Sequence, residues 1–173
     1  MFFIKFLKKI IKALGSNASP NQLAFGFAMG MILGLTPFWN IHNLIVIFLI
    51  AIINVNISTA LLALTIFGLL APIFDGLFHV FGLSILNTGP LQGLFTGMYE
   101  NTFFVLTRFN NTLVLGSFVI SLAAFVPVFF GFKIFAKYYQ EKLHPKVEKW
   151  KITKILKSSK IFNLLNTGYK LKN

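Results

Sequence analysis

Three glycines at four-residue spacing, Gly26, Gly30 and Gly34, lie inside one apolar run, SPNQLAFGFAMGMILGLTP, that opens at Ser19 and closes at Pro37. On a helix this spacing sets all three on one side, a turn apart. A strip bare of side chains lets a second backbone come close, which is how helices associate inside a bilayer. Ser19 as N-cap, Pro20 at the first helical position and Gln22 three residues after the cap form a helix start. Thr36-Pro37 ends it. The helix so bounded has some 17 residues, about 25 Å, a little short of a ~30 Å hydrocarbon core.

The remainder of the chain is equally apolar. Hydrophobic residues make up 56% of the 173 and charged residues 12%, about half of what a water-facing surface needs. Between Ala13 and Phe132 the charges are Asp75, Glu100 and Arg108, and every other Lys or Arg lies at one of the two ends. A net charge of +12 placed this way fits anionic headgroups rather than nucleic acid. With both ends cytoplasmic it also obeys the positive-inside rule. The absence of cysteine excludes disulfides, thiolate metal sites and cysteine nucleophiles.

Residues 1–14 predict an interfacial amphipathic helix with Lys5, Lys8, Lys9 and Lys12 as one polar stripe. Residues 19–140 form the expected membrane domain. Within it, Ile41–Ile53 is a second short apolar segment, with the polar residues Asn40, His42 and Asn43 around its start, and Asn56 is placed to cap the next. Ser58–Ala71 and Ile73–Leu86 read as a third and a fourth segment, broken at Pro72. The mixed stretch from Leu91 to Phe109 reads as interfacial. Leu113–Phe132 is the one run of full spanning length, with Pro127 at a kink. Residues 141–173 read as a basic cytoplasmic tail carrying a second amphipathic helix, with Lys151, Lys154 and Lys157 toward headgroups.

The fold expectation is an all-α, polytopic membrane protein with both termini cytoplasmic. Its short helices, broken at Pro37 and Pro72, are re-entrant hairpins or tilted spans. Freed backbone groups at such breaks must be buried in protein or face a watery cavity. Pro37, Asn40, His42, Asn56 and Pro72 are therefore the break and cavity candidates. Asp75 and His79, one helical turn apart, form the candidate intramembrane ionisable pair. Helix packing is the favoured role of the glycine strip; the functional reading is close backbone approach to a lipid phosphate or ion, and a partner protein would dock on the strip or on the Pro37 and Pro72 breaks. Glu100 and Arg108 sit on a solvated face. No HExxH, P-loop, nucleophile elbow or paired carboxylates occur, so the reading is not an enzyme, with no catalytic residue, metal or cofactor.

Pro20, Ala24, Gly26, Ala28, Gly30, Gly34 and Pro37 fit the form P-x-x-x-A-x-G-x-A-x-G-x-x-x-G-x-x-P. This resembles a family of small bacterial membrane domains, domain of unknown function family 2062. Asn56 and Pro72 match a recurrent asparagine and proline further on, while Asn40 departs from a common glycine. Asparagine also tolerates the left-handed conformation. The family includes a short subgroup with Asn and His after the motif proline, whose genes tend to sit beside one for a larger envelope protein. Other members are fused to polyprenyl-phosphate glycosyltransferases. The resemblance thus implies a multi-pass protein of the bacterial inner membrane. It would act in envelope lipid handling or lipid transport with a larger partner, in contact with anionic lipid headgroups, and as monomer or homo-oligomer. The alternative is a stand-alone transporter or channel for a lipid phosphate or small anion, with Asp75 and His79 as the coupling pair.

Overall fold

A computed structural model describes residues 18–143 and 145. The predicted amphipathic helices at 1–14 and after Pro145, with Lys5, Lys8, Lys9, Lys12, Lys151, Lys154 and Lys157, lie outside the described residues. The described residues fall in two units, divided after Ala136. Among the described residues the structure is helical, without strands. In chain order the helices are α1 (Pro20–Leu35), α2 (Ile41–Ile52), α3 (Ile57–Leu86), α4 (Gln92–Tyr99), α5 (Thr102–Leu106) and α6 (Thr112–Tyr138). A single 3₁₀ turn, Gly89–Leu91, precedes α4, and a π turn, Tyr139–Leu143, follows α6.

Helix α1 starts as its sequence dictates. The Ser19 N–H donates to Gln22 Oε1 at 2.8 Å, and the Gln22 N–H donates back to Ser19 Oγ at 3.3 Å. Apolar on all sides, α1 is the central helix, with residues such as Leu23, Ala28, Met31 and Leu33 buried. Its glycine strip is spent on α3. A Cβ on Gly26 would stand 2.5 Å from the Asn56 carbonyl oxygen, one on Gly30 would strike the Ala60 carbonyl, and one on Gly34 would sit 2.9 Å from Phe67 Cβ and the Gly68 nitrogen. The numbers rise together along both helices, so α1 and α3 run parallel. Two hydrogen bonds lock their starts: the Asn56 N–H donates to the Gln22 carbonyl at 3.1 Å, and Thr59 Oγ1 lies 2.9 Å from the Leu23 carbonyl. Asn56 also caps α3 by accepting from the Thr59 N–H at 3.0 Å. The strip is thereby filled from within the chain, the packing role favoured for it.

Pro72 is a second correction. It does not break the chain into third and fourth segments; α3 runs through it for 30 residues, about 45 Å. Proline removes one hydrogen bond and its ring crowds the carbonyl four residues back. Here that residue is Gly68, which brings no side chain to the crowded turn. In apolar surroundings a helix also has no solvent to which it can surrender its other hydrogen bonds.

Helix α6 returns antiparallel to both α1 and α3. Gly116 meets the backbone of Phe78 and Gly82, and Gly82 meets the backbone of Thr112 and Gly116. Further on, Phe125 and Phe129 pack edge-on to Phe25, with ring centroids 5.4 and 5.8 Å apart, and Phe132 stacks on Phe27 at 3.9 Å. The starts of α1 and α3 and the Phe132 turn of α6 therefore lie at one end. The loop between α3 and α6 lies at the other, where Phe109 is buried against Phe95 and Tyr99. Pro127 lies inside α6, which continues as helix to Tyr138. In the second unit, Lys137 and Glu141 form an exposed ion pair at 3.9 Å, worth little to stability at the surface.

Candidate functional site

The site is the tip of the α1–α2 hairpin. Helix α1 has 16 residues and α2 has 12, about 24 and 18 Å, against about 45 Å for α3. Gly34 lies level with Gly68, and the next residues, Thr36 to Asn40, turn beside Pro72, the midpoint of α3. The hairpin stops halfway.

Backbone polarity at this turn is met by side chains. Thr36 is extended, as the residue before a proline must be, and its hydroxyl lies 2.8 Å from the Ile32 carbonyl and 2.8 Å from Asn43 Oδ1. Asn43 is 1% exposed. Its Nδ2 donates to the carbonyls of Pro37, at 3.0 Å, and Phe38, at 3.2 Å. Asn40 Nδ2 adds a 2.6 Å bond to the Pro37 carbonyl. Asn40 thus precedes α2 as its N-cap residue without a side-chain cap bond, because its amide is turned back to the break. His42 is buried with its ring 4.7 Å from that of Phe118. Among the described residues, His42 Nε2 and Asn40 Oδ1 find no hydrogen-bond partner.

Against the tip lies a cavity of about 400 Å³, lined by Leu33 to Phe38 from the end of α1 and its turn, by Leu64, Gly68, Ala71, Pro72 and Asp75 of α3, and by Leu113 of α6. Pro37 and Pro72 line it together; Asn40, His42 and Asn56 do not. The Asp75–His79 pair does not form. Asp75 faces the cavity, whereas His79 Nδ1 is 2.6 Å from Thr112 Oγ1 across the α3–α6 crossing. Among the described residues Glu100 and Arg108 form no ion pair, and Arg108 adopts a left-handed φ of 56° before α6.

The Gly82–Gly116 crossing and the buried Ser117 and Ser121 were not anticipated. The small residues in the final apolar run were the available signal, since small side chains mark helix contacts in membranes. Asn43, the buried lock of the turn, is not among the break candidates the sequence offers, because nothing local distinguishes it from Asn40 and His42.

A family model described as an uncharacterised protein conserved in bacteria, DUF2062, matches residues 4–144. The chain belongs to the DUF2062 family. An uncharacterised protein from Treponema pallidum (strain Nichols), of comparable length, is 27% identical over 144 residues, covering 83% of this chain and 89% of the relative. No solved structure matches the chain. The glycine–proline segment that suggested DUF2062 is thus the part of the family pattern that builds α1, its seam with α3 and the hairpin turn. Two helices, Ile57–Leu86 and the run Thr112–Leu143, are long and apolar enough to cross a membrane, with mean hydropathies of 2.2 and 2.4.

Proposed function

We propose that the protein is a non-enzymatic component of the bacterial inner membrane, serving an envelope lipid-handling system with a larger partner. The observation that carries this reading is the half-length hairpin with an open, apolar-walled cavity at its tip. Set in a bilayer with α3 and α6 as the two crossings, α1 and α2 become a re-entrant hairpin. Its tip then reaches the depth of the acyl chains, where irregular backbone is tolerated only beside protein or a cavity.

Further support comes from the surface. On α2, Leu44, Phe48 and Ile52 are each about two-thirds exposed, and at the tip Trp39 is 85% exposed. Apolar faces of this extent are ordinary against lipid and costly against water. With two crossings, both termini fall on one side. The Lys residues before Pro20 and after Phe132 then make that side cytoplasmic, and residues 87–111 form the opposite, interfacial end. The alternative, a transporter for a lipid phosphate or small anion, is weakened by Asp75, whose carboxylate repels an anion from this cavity. The larger partner follows from the family resemblance and would meet the tip or the far end, since the glycine strip is filled.

The test is mild-detergent purification of the tagged chain from its own host membranes, with mass spectrometry of everything retained. Co-purification of a stoichiometric larger envelope protein together with phospholipid is expected. Recovery of the chain alone, with neither, would refute the reading.

A further inference from the structure

The cavity at the hairpin tip has a negative pole and nothing among the described residues to balance it. Pro37 has no N–H, so the Leu33 carbonyl loses the donor that a continuing helix would supply. Among the described residues no donor reaches the carbonyl oxygens of Leu33, Gly34 or Leu35. These carbonyls form the C-terminal end of α1, which carries about −0.5 of an elementary charge, and all three residues line the cavity. Across from them, on α3, stands Asp75, half-buried, with no hydrogen bond or ion pair among the described residues. The described cations of the same unit, Arg108 and Lys133, do not line the cavity.

Two negative features facing one apolar-walled space repel one another, and each is costly to hold away from water. A cation between them removes both penalties. Helix C-termini and unwound carbonyls beside a proline break coordinate cations in this way in membrane transporters. With one carboxylate, the donor set is too poor in charge for a site built for a divalent ion, which gathers six to eight oxygens and usually several carboxylates. At about 400 Å³ the space exceeds the ~30 Å³ share of one water more than tenfold, so it admits a headgroup as readily as a hydrated ion.

We propose that this cavity is a binding site for a monovalent cationic group. The group is either the ammonium of an aminophospholipid headgroup or a free alkali cation, held by Asp75 and by the carbonyl end of α1 freed by Pro37. The inference needs only the cavity, so it can fail while the lipid-handling reading stands, and the reverse.

The experiment uses the full chain in two arms, each comparing wild type with Asp75→Asn and Asp75→Glu. In the first, native mass spectrometry counts lipid retained from micelles holding equal phosphatidylethanolamine and phosphatidylglycerol. In the second, thermal unfolding is followed as NaCl or KCl is titrated at fixed ionic strength. A preference for phosphatidylethanolamine that Asp75→Asn reduces about tenfold or more, and Asp75→Glu keeps, supports the site and assigns the lipid headgroup. A rise in unfolding temperature that distinguishes Na⁺ from K⁺ and vanishes in Asp75→Asn supports it and assigns a free cation. Pro37→Ala, which restores a donor below the Leu33 carbonyl, weakens either effect with Asp75 intact. Wild type and Asp75→Asn behaving alike in both arms, or wild type retaining phosphatidylglycerol in preference, overturns the proposal.

Discussion

Replacing Asn43 by leucine, which keeps the branched outline at a larger volume and carries no polar atoms, tests whether the hairpin turn is held by that side chain. Asn43 makes two full hydrogen bonds, to the carbonyls of Pro37 and Phe38. It shares a third with Thr36, whose single hydroxyl proton is divided between Asn43 Oδ1 and the Ile32 carbonyl. Bonds of this kind contribute ~0.6 kcal/mol on average inside membranes and ~1 kcal/mol in soluble proteins. Both carbonyls keep a donor, that of Pro37 from Asn40 Nδ2 and that of Phe38 from the Asn40 N–H at 3.0 Å, so no penalty for an orphaned carbonyl is added. The sum is a loss of about 1.5–3 kcal/mol for Asn43→Leu. The cysteine-free chain allows two cysteines to be placed and labelled for steric trapping, so unfolding can be measured in bilayer-like micelles. Asn43→Asp, which keeps acceptors but removes the Nδ2 donors, should lose a comparable amount. A loss below about 0.5 kcal/mol for Asn43→Leu would mean that the hairpin turn is not held by this side chain.

Other consequences are open to direct measurement. Gly30→Ala drives a methyl into the Ala60 backbone; it should cost about 1–3 kcal/mol in the same assay, and Gly30→Leu should abolish a monodisperse elution profile. Either variant behaving as wild type would separate α1 from α3. A double-mutant cycle of His79→Ala and Thr112→Val should return a coupling of about 0.6–1.7 kcal/mol, whereas Asp75→Asn paired with His79→Ala should return none. Single cysteines at Asn54 and Asn87 should react with impermeant maleimide from opposite sides of the membrane, and one at Trp39 from neither. Labelling of position 39 from outside would exclude the half-depth hairpin.

What could be read in the sequence was local. The capping box at Ser19, the stop at Pro37 and the cap at Asn56 depend on residues within a turn of one another, and each is present as read. The glycine strip announced a close packing surface, but the identity of its partner, α3 of the same chain, depends on a contact some thirty residues away. Pro72 was misread for a physical reason. Proline breaks helices where water can replace the lost bond, and Gly68 with its apolar surroundings removes that option. The Asp75–His79 pairing failed similarly: a neighbour at helical spacing lost to Thr112, which only the return of α6 brings near. Nothing within α3 marks Gly82 as the place where α6 crosses.

The parallel seam of α1 on α3 has a bearing on how the chain is made. A ribosome delivers α1 and α2 before α3 and α6, yet both are too short to hold a spanning position, and α1 owns no face that can be left against lipid without forfeiting its packing. Its glycines gain contacts only when Asn56 to Gly68 emerge, and its phenylalanines only when Phe125 to Phe132 follow. Helix α1 is made before α3 and α6, yet its packing is complete only once both have followed. If α3 and α6 cross a bilayer as proposed, α1 needs shelter until α6 is complete, and a chain truncated before Thr112 should be a substrate for quality control rather than a smaller version of the protein.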